Sequence, residues 1–385
     1  MIVAAAIPLS LYVHVPWCVR KCPYCDFNSH QRPAKLPEDD YVAALLADLE
    51  LELPFVQGRS LQSIFFGGGT PSLFSGRAIQ AILDGVRGRM AFADDCEITL
   101  ETNPGTAEFD RFEAYLAAGV NRLSFGVQSF DDEHLRRLGR IHGGDEARRA
   151  FGLARAAGFD NINVDLMYGL PGQTVNGAVA DLHAALELAP EHLSHYQLTL
   201  EPQTVFARKP PADLPDDDGL VDMLDACQTP LHAAGFEHYE VSAYAQPRRQ
   251  SRHNLNYWQF GDYLAIGAGG HAKYTSAAGV HRRARQRTPS LYLRTAGTAA
   301  ALVEDRAVEA GELAFEFMLN ALRLRQGFPV DLFAARTGRD LAEEPGYRTA
   351  VARGLLEVVD GQLRASELGY RFLNDTVECF LPAKS

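Results

Sequence analysis

The stretch that decides the fold is Leu9-Ser10-Leu11-Tyr12-Val13-His14-Val15-Pro16-Trp17-Cys18-Val19-Arg20-Lys21-Cys22-Pro23-Tyr24-Cys25-Asp26-Phe27. Its first half, Leu9–Val15, is a short apolar run bounded by prolines and reads as a buried strand. Its second half carries three cysteines in the spacing Cys-x3-Cys-x2-Cys, with Tyr24 just before the third. The other three cysteines, Cys96, Cys227 and Cys379, are isolated, so six in 385 residues do not make a disulfide scaffold. A cluster plus singletons points to a reducing compartment and metal chemistry. Zinc usually takes four protein ligands. A cubane [4Fe-4S] cluster can take the three thiolates of Cys18, Cys22 and Cys25 and keep one iron open.

Outward from this loop the chain alternates between strand and helix patterns. Strands are expected at Ser60–Phe66, Cys96–Glu101, Arg122–Gly126, Ile162–Leu166, His195–Leu200 and Tyr239–Ala243, with helices at Glu38–Leu53, Ala78–Val86 and Ala178–Leu188. A joint recurs as Ala117-Ala118-Gly119, Ala156-Ala157-Gly158 and Ala233-Ala234-Gly235, where Gly permits a left-handed helix cap. The first two joints stand 39 residues apart and the next gap is 77, about two such periods. A repeated βα unit implies parallel strands with right-handed crossovers. The expected fold is therefore α/β: a partial (β/α)6 TIM-like barrel with chemistry at the C-terminal strand ends. Gly67-Gly68-Gly69, Glu101-Thr102-Asn103-Pro104 and Asp165–Pro171 sit at those ends. The expected organisation is a barrel core over 1–245, a basic segment over 246–303, and a helical or winged-helix-like unit over 304–385. In that last unit the helix Glu309–Leu324 and a hairpin at Leu355–Leu363 turning on Asp360-Gly361 are expected.

Charge and hydropathy narrow the function. With 37 basic and 49 acidic residues the net charge is −12, which disfavours nucleic acid as a partner. The C-terminal unit, with 9 basic and 11 acidic residues from Ala310 to Ser385, suits a packing or lid role better than DNA binding. No apolar run approaches the roughly 18–20 residues that span a bilayer. Met1–Pro8 lacks the basic start of a secretory signal, so a cytoplasmic location is expected.

The cysteine spacing and its aromatic neighbour resemble the radical S-adenosylmethionine superfamily, in which the open iron binds S-adenosylmethionine. The ordered set Leu9–Cys18, Gly67-Gly68-Gly69-Thr70-Pro71, Glu101-Thr102-Asn103-Pro104, Gly126-Val127-Gln128-Ser129-Phe130 and Asp165–Pro171 resembles the oxygen-independent coproporphyrinogen III oxidase family. The resemblance implies that Cys18, Cys22 and Cys25 hold the cluster, with Tyr24 beside them. It implies that Tyr12, Gly68 and Glu101 contact S-adenosylmethionine, and that Gly69, Thr70, Gln128, Arg140 and Asp165 match positions that hold a second molecule in the oxidase. Plainer readings remain beside these: Asp165 in a buried ion pair, Arg140 as an exposed helix residue. True oxidases carry a fourth Cys two residues after the third, where this chain has Phe27. The heme-chaperone branch, HemW, ends its motif in Cys-x-Phe and carries His-Asn-x-x-Tyr-Trp, which stands here at His253–Trp258. The resemblance therefore implies heme binding and delivery to apo-hemoproteins such as respiratory cytochromes, with a homodimer as a further family expectation; the alternative is the oxidase, a radical decarboxylase of porphyrin biosynthesis.

Heme iron commonly takes an axial His or Cys, which makes His253 the leading candidate, with Tyr257 and Trp258 able to stack on the porphyrin. The plainer alternative is a loop hydrogen-bonder. From Ala245 to Ala301 nine basic residues face one acidic residue, Asp262, a local balance of +8. Part of that stretch, beside His253 and tested at Arg282, Arg283 and Arg285, is expected to anchor heme propionates or an acidic partner or to touch an anionic membrane surface, against the alternative of a solvated arginine face or intramolecular ion pairs. Gly267-Ala268-Gly269-Gly270-His271 lacks the rest of a dinucleotide fingerprint.

Overall fold

The computed structural model describes residues 2–106 and 109–382. Six strands lie side by side in chain order and run parallel: β1 (Leu9–Val15), β2 (Leu61–Gly68), β3 (Phe92–Thr102), β4 (Arg122–Gln128), β5 (Ile162–Tyr168) and β6 (His192–Gln197). Helices Glu38–Glu50, Gly76–Arg87, Phe109–Ala118, Gly144–Ala156 and Val175–Leu186 bridge successive strands. This is the expected half-open (β/α)6 barrel. Its strands share one side-chain rule. Ile64, Phe66, Ile98, Leu100, Leu123, Phe125, Ile162, Val164 and Leu193 point out into the main apolar core under the helices. The alternate residues turn inward, where Ser63 bonds Ser10 and Asn163 bonds Ser124, Asp165 and His192. Period-2 alternation thus gives an apolar outer face and a polar lumen.

The third Ala-Ala-Gly joint departs from the expected single strand Tyr239–Ala243. The chain leaves helix Asp217–Ala233 through Gly235 (φ +81°) and forms β7 (Glu237–Glu240), then turns and forms β8 (Ala243–Ala245). β8 pairs antiparallel with β6 on one side and with β7 on the other. β7 therefore keeps the direction that a right-handed crossover demands, but stands one place further out because β8 slips between. The reversal delivers the chain to the opposite end of the barrel from the cysteine loop. There helix Arg252–Trp258 begins, capped by the Ser251 hydroxyl.

Residues 246–303, read above as a segment apart, join the same sheet. β9 (Asp262–Ile266) pairs parallel with β1, and β10 (His271–Ser276), β11 (Gly279–Arg285) and β12 (Leu302–Ala307) add antiparallel. Six of the nine cations in this stretch are spent on ion pairs within the chain. Arg285 is fully buried, its Nε 2.9 Å from Asp48 Oδ1 and its Nη2 on Glu52 Oε1. Arg283 meets Glu52 and Asp305, Arg282 meets Glu316 at 2.6 Å, and Lys273 meets Asp262 at 2.9 Å. Arg252 and Arg249 pair with Asp95 and Asp160 at the surface. The expectation that Arg282, Arg283 and Arg285 anchor propionates is overturned by these partners: their role is to fasten β11 to the end of the helix Glu38–Glu50 and to the C-terminal unit.

That C-terminal unit has its own core around Phe317, Met318, Phe328, Phe333 and Leu363. It is built from helices Ala310–Ala321, Val330–Thr337 and Pro345–Ala352 and a hairpin of β13 (Leu356–Val359) and β14 (Gln362–Ala365). Asp360 and Gly361 both take positive φ, the mirror-image turn expected of that pair. Among the described residues no helix is long and apolar enough to cross a membrane.

Removing one partner of a buried ion pair leaves the other charge uncompensated, at a cost of about 3–5 kcal/mol. Arg285→Ala is expected to lose stability on that scale in urea denaturation and to leave heme affinity untouched, whereas Arg294→Ala, which has no ion pair among the described residues, is expected to change neither.

Candidate functional site

The C-terminal ends of the barrel strands open into a cavity of about 530 Å³. That size falls in the usual small-molecule range of roughly 300–1,000 Å³. Cys18, Cys22, Tyr24, Cys25, Gly68, Gly69, Thr70, Glu101, Gln128, Arg140 and Asp165 all line it. Eleven sequence-selected residues therefore meet on one wall or another of one space. Tyr12 and His253 do not line it.

The cysteine loop is seated by backbone. Gly69 N–H donates to Val15 O (2.7 Å) and Thr70 N–H to Trp17 O (2.8 Å). A Cβ at Gly69 would lie 2.5 Å from the Trp17 carbonyl, and one at Gly68 (φ +113°) 2.5 Å from the His14 ring. The glycines are therefore required by the loop itself, whatever ligand follows. Asn28 pins the far side, its Nδ2 donating to Ala268 O (2.9 Å) and Arg287 O (2.8 Å). The Gly267–Gly270 stretch is thus a bracket for the loop.

His14 links loop and lumen. Its Nε2 bonds the Asn28 carbonyl at 2.9 Å, so that nitrogen carries the proton. Burial holds the ring pKa down at about 4, so His14 is neutral and its Nδ1 accepts from Tyr12 Oη at 3.1 Å. Tyr12 lies just beneath the cavity floor.

All three loop thiols are free, with no disulfide. Burial pushes the Cys18 and Cys25 thiols up. Arg140 Nη1 stands 3.7 Å from Cys22 Sγ and its Nη2 donates to Gly126 O. Among the described residues no three carboxylate, imidazole or thiol groups are close enough to share a single metal ion. A cubane spreads its thiolates over separate irons, so three free thiols along one cavity wall suit that group.

Two carboxylates face the thiols with no cation bonded to either. Glu101 Oε2 accepts from Gly68 N–H at 3.1 Å; burial and the nearby Asp165 push its pKa up to about 8. Asp165 is also raised by burial, against donors from Asn163 and Ser194 and the charges of Arg122 and Arg140. Gln128 holds a left-handed φ of +75° and its Oε1 accepts from Tyr196 Oη at 2.7 Å. Such strain in a non-glycine residue marks a position fixed by its surroundings.

Sequence reading missed Ser124, Ser194 and Tyr196, which also line the cavity. The signal was the alternation His192, Ser194, Tyr196. A strand start placed at His195, three residues late, hid it. At the other end of the barrel, His253 is only 2 % exposed. Its Nδ1 bonds Ser63 Oγ at 2.9 Å and its ring stacks on Phe65 at 5.0 Å. Trp258 lies under the Arg323 guanidinium at 4.3 Å, and Arg323 also pairs with Glu240 at 3.0 Å. The His-Asn-x-x-Tyr-Trp helix therefore plugs the barrel floor and fastens the C-terminal unit. The structure gives His253 no open face for an axial bond.

The Radical SAM superfamily pattern matches residues 12–185 and the HemN C-terminal domain pattern matches 308–372. The chain is 50 % identical to Heme chaperone HemW of Escherichia coli, over 97 % of this chain and 98 % of that protein. The chain belongs to the HemW family. Heme chaperone HemW of Haemophilus influenzae is 46 % identical over 97 % of the chain and 98 % of its own length. The solved coproporphyrinogen III oxidase of Escherichia coli superposes with a TM-score of 0.81 at 24 % identity, covering 98 % of this chain and 92 % of that one, which shows a common fold. In this HemW-family chain Phe27 is 58 % exposed on the cavity wall.

The Glu101 value fixes a sign. Its folded pKa of about 8 lies above the ordinary 4.5, so its favourable contribution is complete below pH 4.5 and is lost as pH rises to 8. Glu101→Gln is expected to flatten the pH dependence of stability across that window. It should stabilise the ligand-free protein at pH 8 by on the order of a few kcal/mol. Urea denaturation at pH 5 and pH 8 reads both effects; an undiminished slope would refute them.

Proposed function

We propose that the protein is a heme chaperone that carries a [4Fe-4S] cluster on Cys18, Cys22 and Cys25 and S-adenosylmethionine in the cavity beside it, and hands heme to apo-hemoproteins such as respiratory cytochromes in the cytoplasm. The observation that carries this reading is the end-to-end match to proteins named heme chaperones. Phe27 agrees with it, since an exposed aromatic ring stands where the oxidase pattern has a fourth thiol.

When bound, the cluster supplies an open iron for the amino and carboxylate groups of S-adenosylmethionine. The chain's own residues supply the rest. Glu101, held by Gly68 N–H, offers its second oxygen to a cationic or hydroxyl-bearing ligand. Such a ligand relieves the cost of burying two unpaired carboxylates, and so lowers the pKa of both. Tyr12, its proton committed to His14, fixes that ring beneath the cysteine loop. Arg140 donates to the Cys22 sulfur at 3.7 Å and holds that end of the loop against the cavity wall. Heme enters as cargo. With His253 sealed in the barrel floor, the axial bond is expected to come from another residue.

The test is anaerobic reconstitution followed by heme transfer to an apo-cytochrome and, in parallel, incubation with coproporphyrinogen III. Transfer without decarboxylation is the expected result; a vinyl product would establish the oxidase instead. Cys18→Ser should lose the iron–sulfur absorbance. His253→Ala should keep the heme spectrum of the parent while losing about 2–4 kcal/mol of stability, the scale for emptying a packed aromatic site.

A further inference from the structure

A directional hydrogen-bonded chain runs through the lumen from the barrel floor to the cavity. At its upper end Asn163 Nδ2 stands 2.7 Å from Asp165 Oδ1 and 2.8 Å from Ser124 Oγ. A carboxylate accepts only, so the amide nitrogen must face it and Oδ1 must face the other way. There Asn163 Oδ1 meets His192 Nδ1 at 2.6 Å and Ser194 Oγ at 3.1 Å. His192 Nδ1 therefore carries the ring proton. His192 is fully buried and neutral, its pKa lowered by burial and by Arg122. Its Nε2 is then an acceptor, and Tyr239 Oη, 2.8 Å away, donates to it. Tyr239 oxygen in turn receives Ser251 N–H at 3.4 Å, at the cap of the floor helix. From Ser251 through Tyr239, His192 and Asn163 each donor in the line points toward the cavity, and the Ser194 hydroxyl joins it from the side.

We infer that His192 and Tyr239 are positioning residues: by fixing the amide of Asn163 they hold Asp165 as a donor-supported carboxylate aimed at the ligand in the cavity. This rests on the reading of that cavity as an S-adenosylmethionine site. Other arrangements of the lumen would satisfy packing alone. A leucine at 192 would fill space, yet it would remove the shorter of the two hydrogen bonds on Asn163 Oδ1 and leave Ser194 alone to keep that oxygen turned away from Asp165, so the amide is held less firmly and the protonated acid is favoured. The groups that face Asp165 from neighbouring elements are Glu101 on β3, Arg122 on β4, Tyr196 on β6 and Arg140. None of them changes in the variants below.

The experiment uses cluster-loaded full-length protein and measures S-adenosylmethionine affinity by calorimetry from pH 5.5 to 9. His192→Leu is expected to weaken binding about tenfold at pH 7 and to move the pH midpoint of binding upward by about one unit. His192→Asn, whose Nδ2–H replaces the Nδ1–H donor, is expected to restore most of the midpoint. Tyr239→Phe, with nearly unchanged volume, should shift it in the same direction by less. The ¹⁵N shifts of His192 in the parent should report the Nδ1–H form. Retained iron–sulfur absorbance shows that each variant is folded and loaded. If Asp165→Asn weakens binding while His192→Leu and Tyr239→Phe keep the parental pH profile, the positioning role is wrong and the cavity reading stands. If Asp165→Asn itself leaves affinity unchanged, the ligand does not meet Asp165 and both fall together.

Discussion

The contact on which the site depends is the meeting of two backbones, Gly68-Gly69 at the end of β2 and His14–Trp17 at the end of β1. Two N–H···O bonds close that meeting, and a single Cβ on either glycine would force it open. Because β1 cannot pull away from β2, the chain after Trp17 must leave over the mouth of the barrel. The three cysteines are therefore carried across the C-terminal strand ends by geometry that has nothing to do with metal. Trp17, packed edge-on to Tyr41 at 4.7 Å, and Asn28, tied to Ala268 and Arg287, hold the two shoulders of the loop. A loop fixed this way before any cluster binds keeps the entropic cost of assembling the site low.

What was legible in the sequence was what obeys local periodicity. β1 begins and ends where the apolar run does, and the strands at Arg122 and Ile162 start on the expected residue. The cavity residues were legible because they cluster at strand ends with glycine or proline, where a parallel barrel puts its chemistry. Tyr196 was lost for a simple reason. In a strand of period 2, an offset of an odd number of residues in the start exchanges the two faces. The hairpin of β7 and β8 was lost because the turn at Val241-Ser242 has neither Gly nor Asn to announce it.

The basic stretch failed differently. Local sequence recorded a +8 excess, but the buried partners of Arg283 and Arg285 lie more than two hundred residues earlier, at Asp48 and Glu52. Neither the fold class nor the charge count places those helices against β11. The same holds for His253, whose neighbours Ser63 and Phe65 come from β2. A histidine in a marked motif reads as a ligand until the tertiary fold shows that a strand has covered it.

The contrast between the two sets of buried charge is the most informative feature of the molecule. Asp48 and Glu52 have Arg285 and Arg283 against them, together with the Tyr292 hydroxyl, so the charges of this network are balanced within the chain. Glu101 and Asp165 are half-buried on the cavity wall, and their hydrogen-bond donors are neutral, an N–H on one and the Asn163 amide on the other. Two such carboxylates side by side raise each other's pKa and cost stability above neutral pH, a cost that packing could have removed with one substitution. A cationic ligand cancels it, and a chain of oriented dipoles reaching back to Tyr239 limits it in the meantime. The cavity is thus left electrostatically incomplete, while the Asp48–Glu52 network of the scaffold carries its own cations.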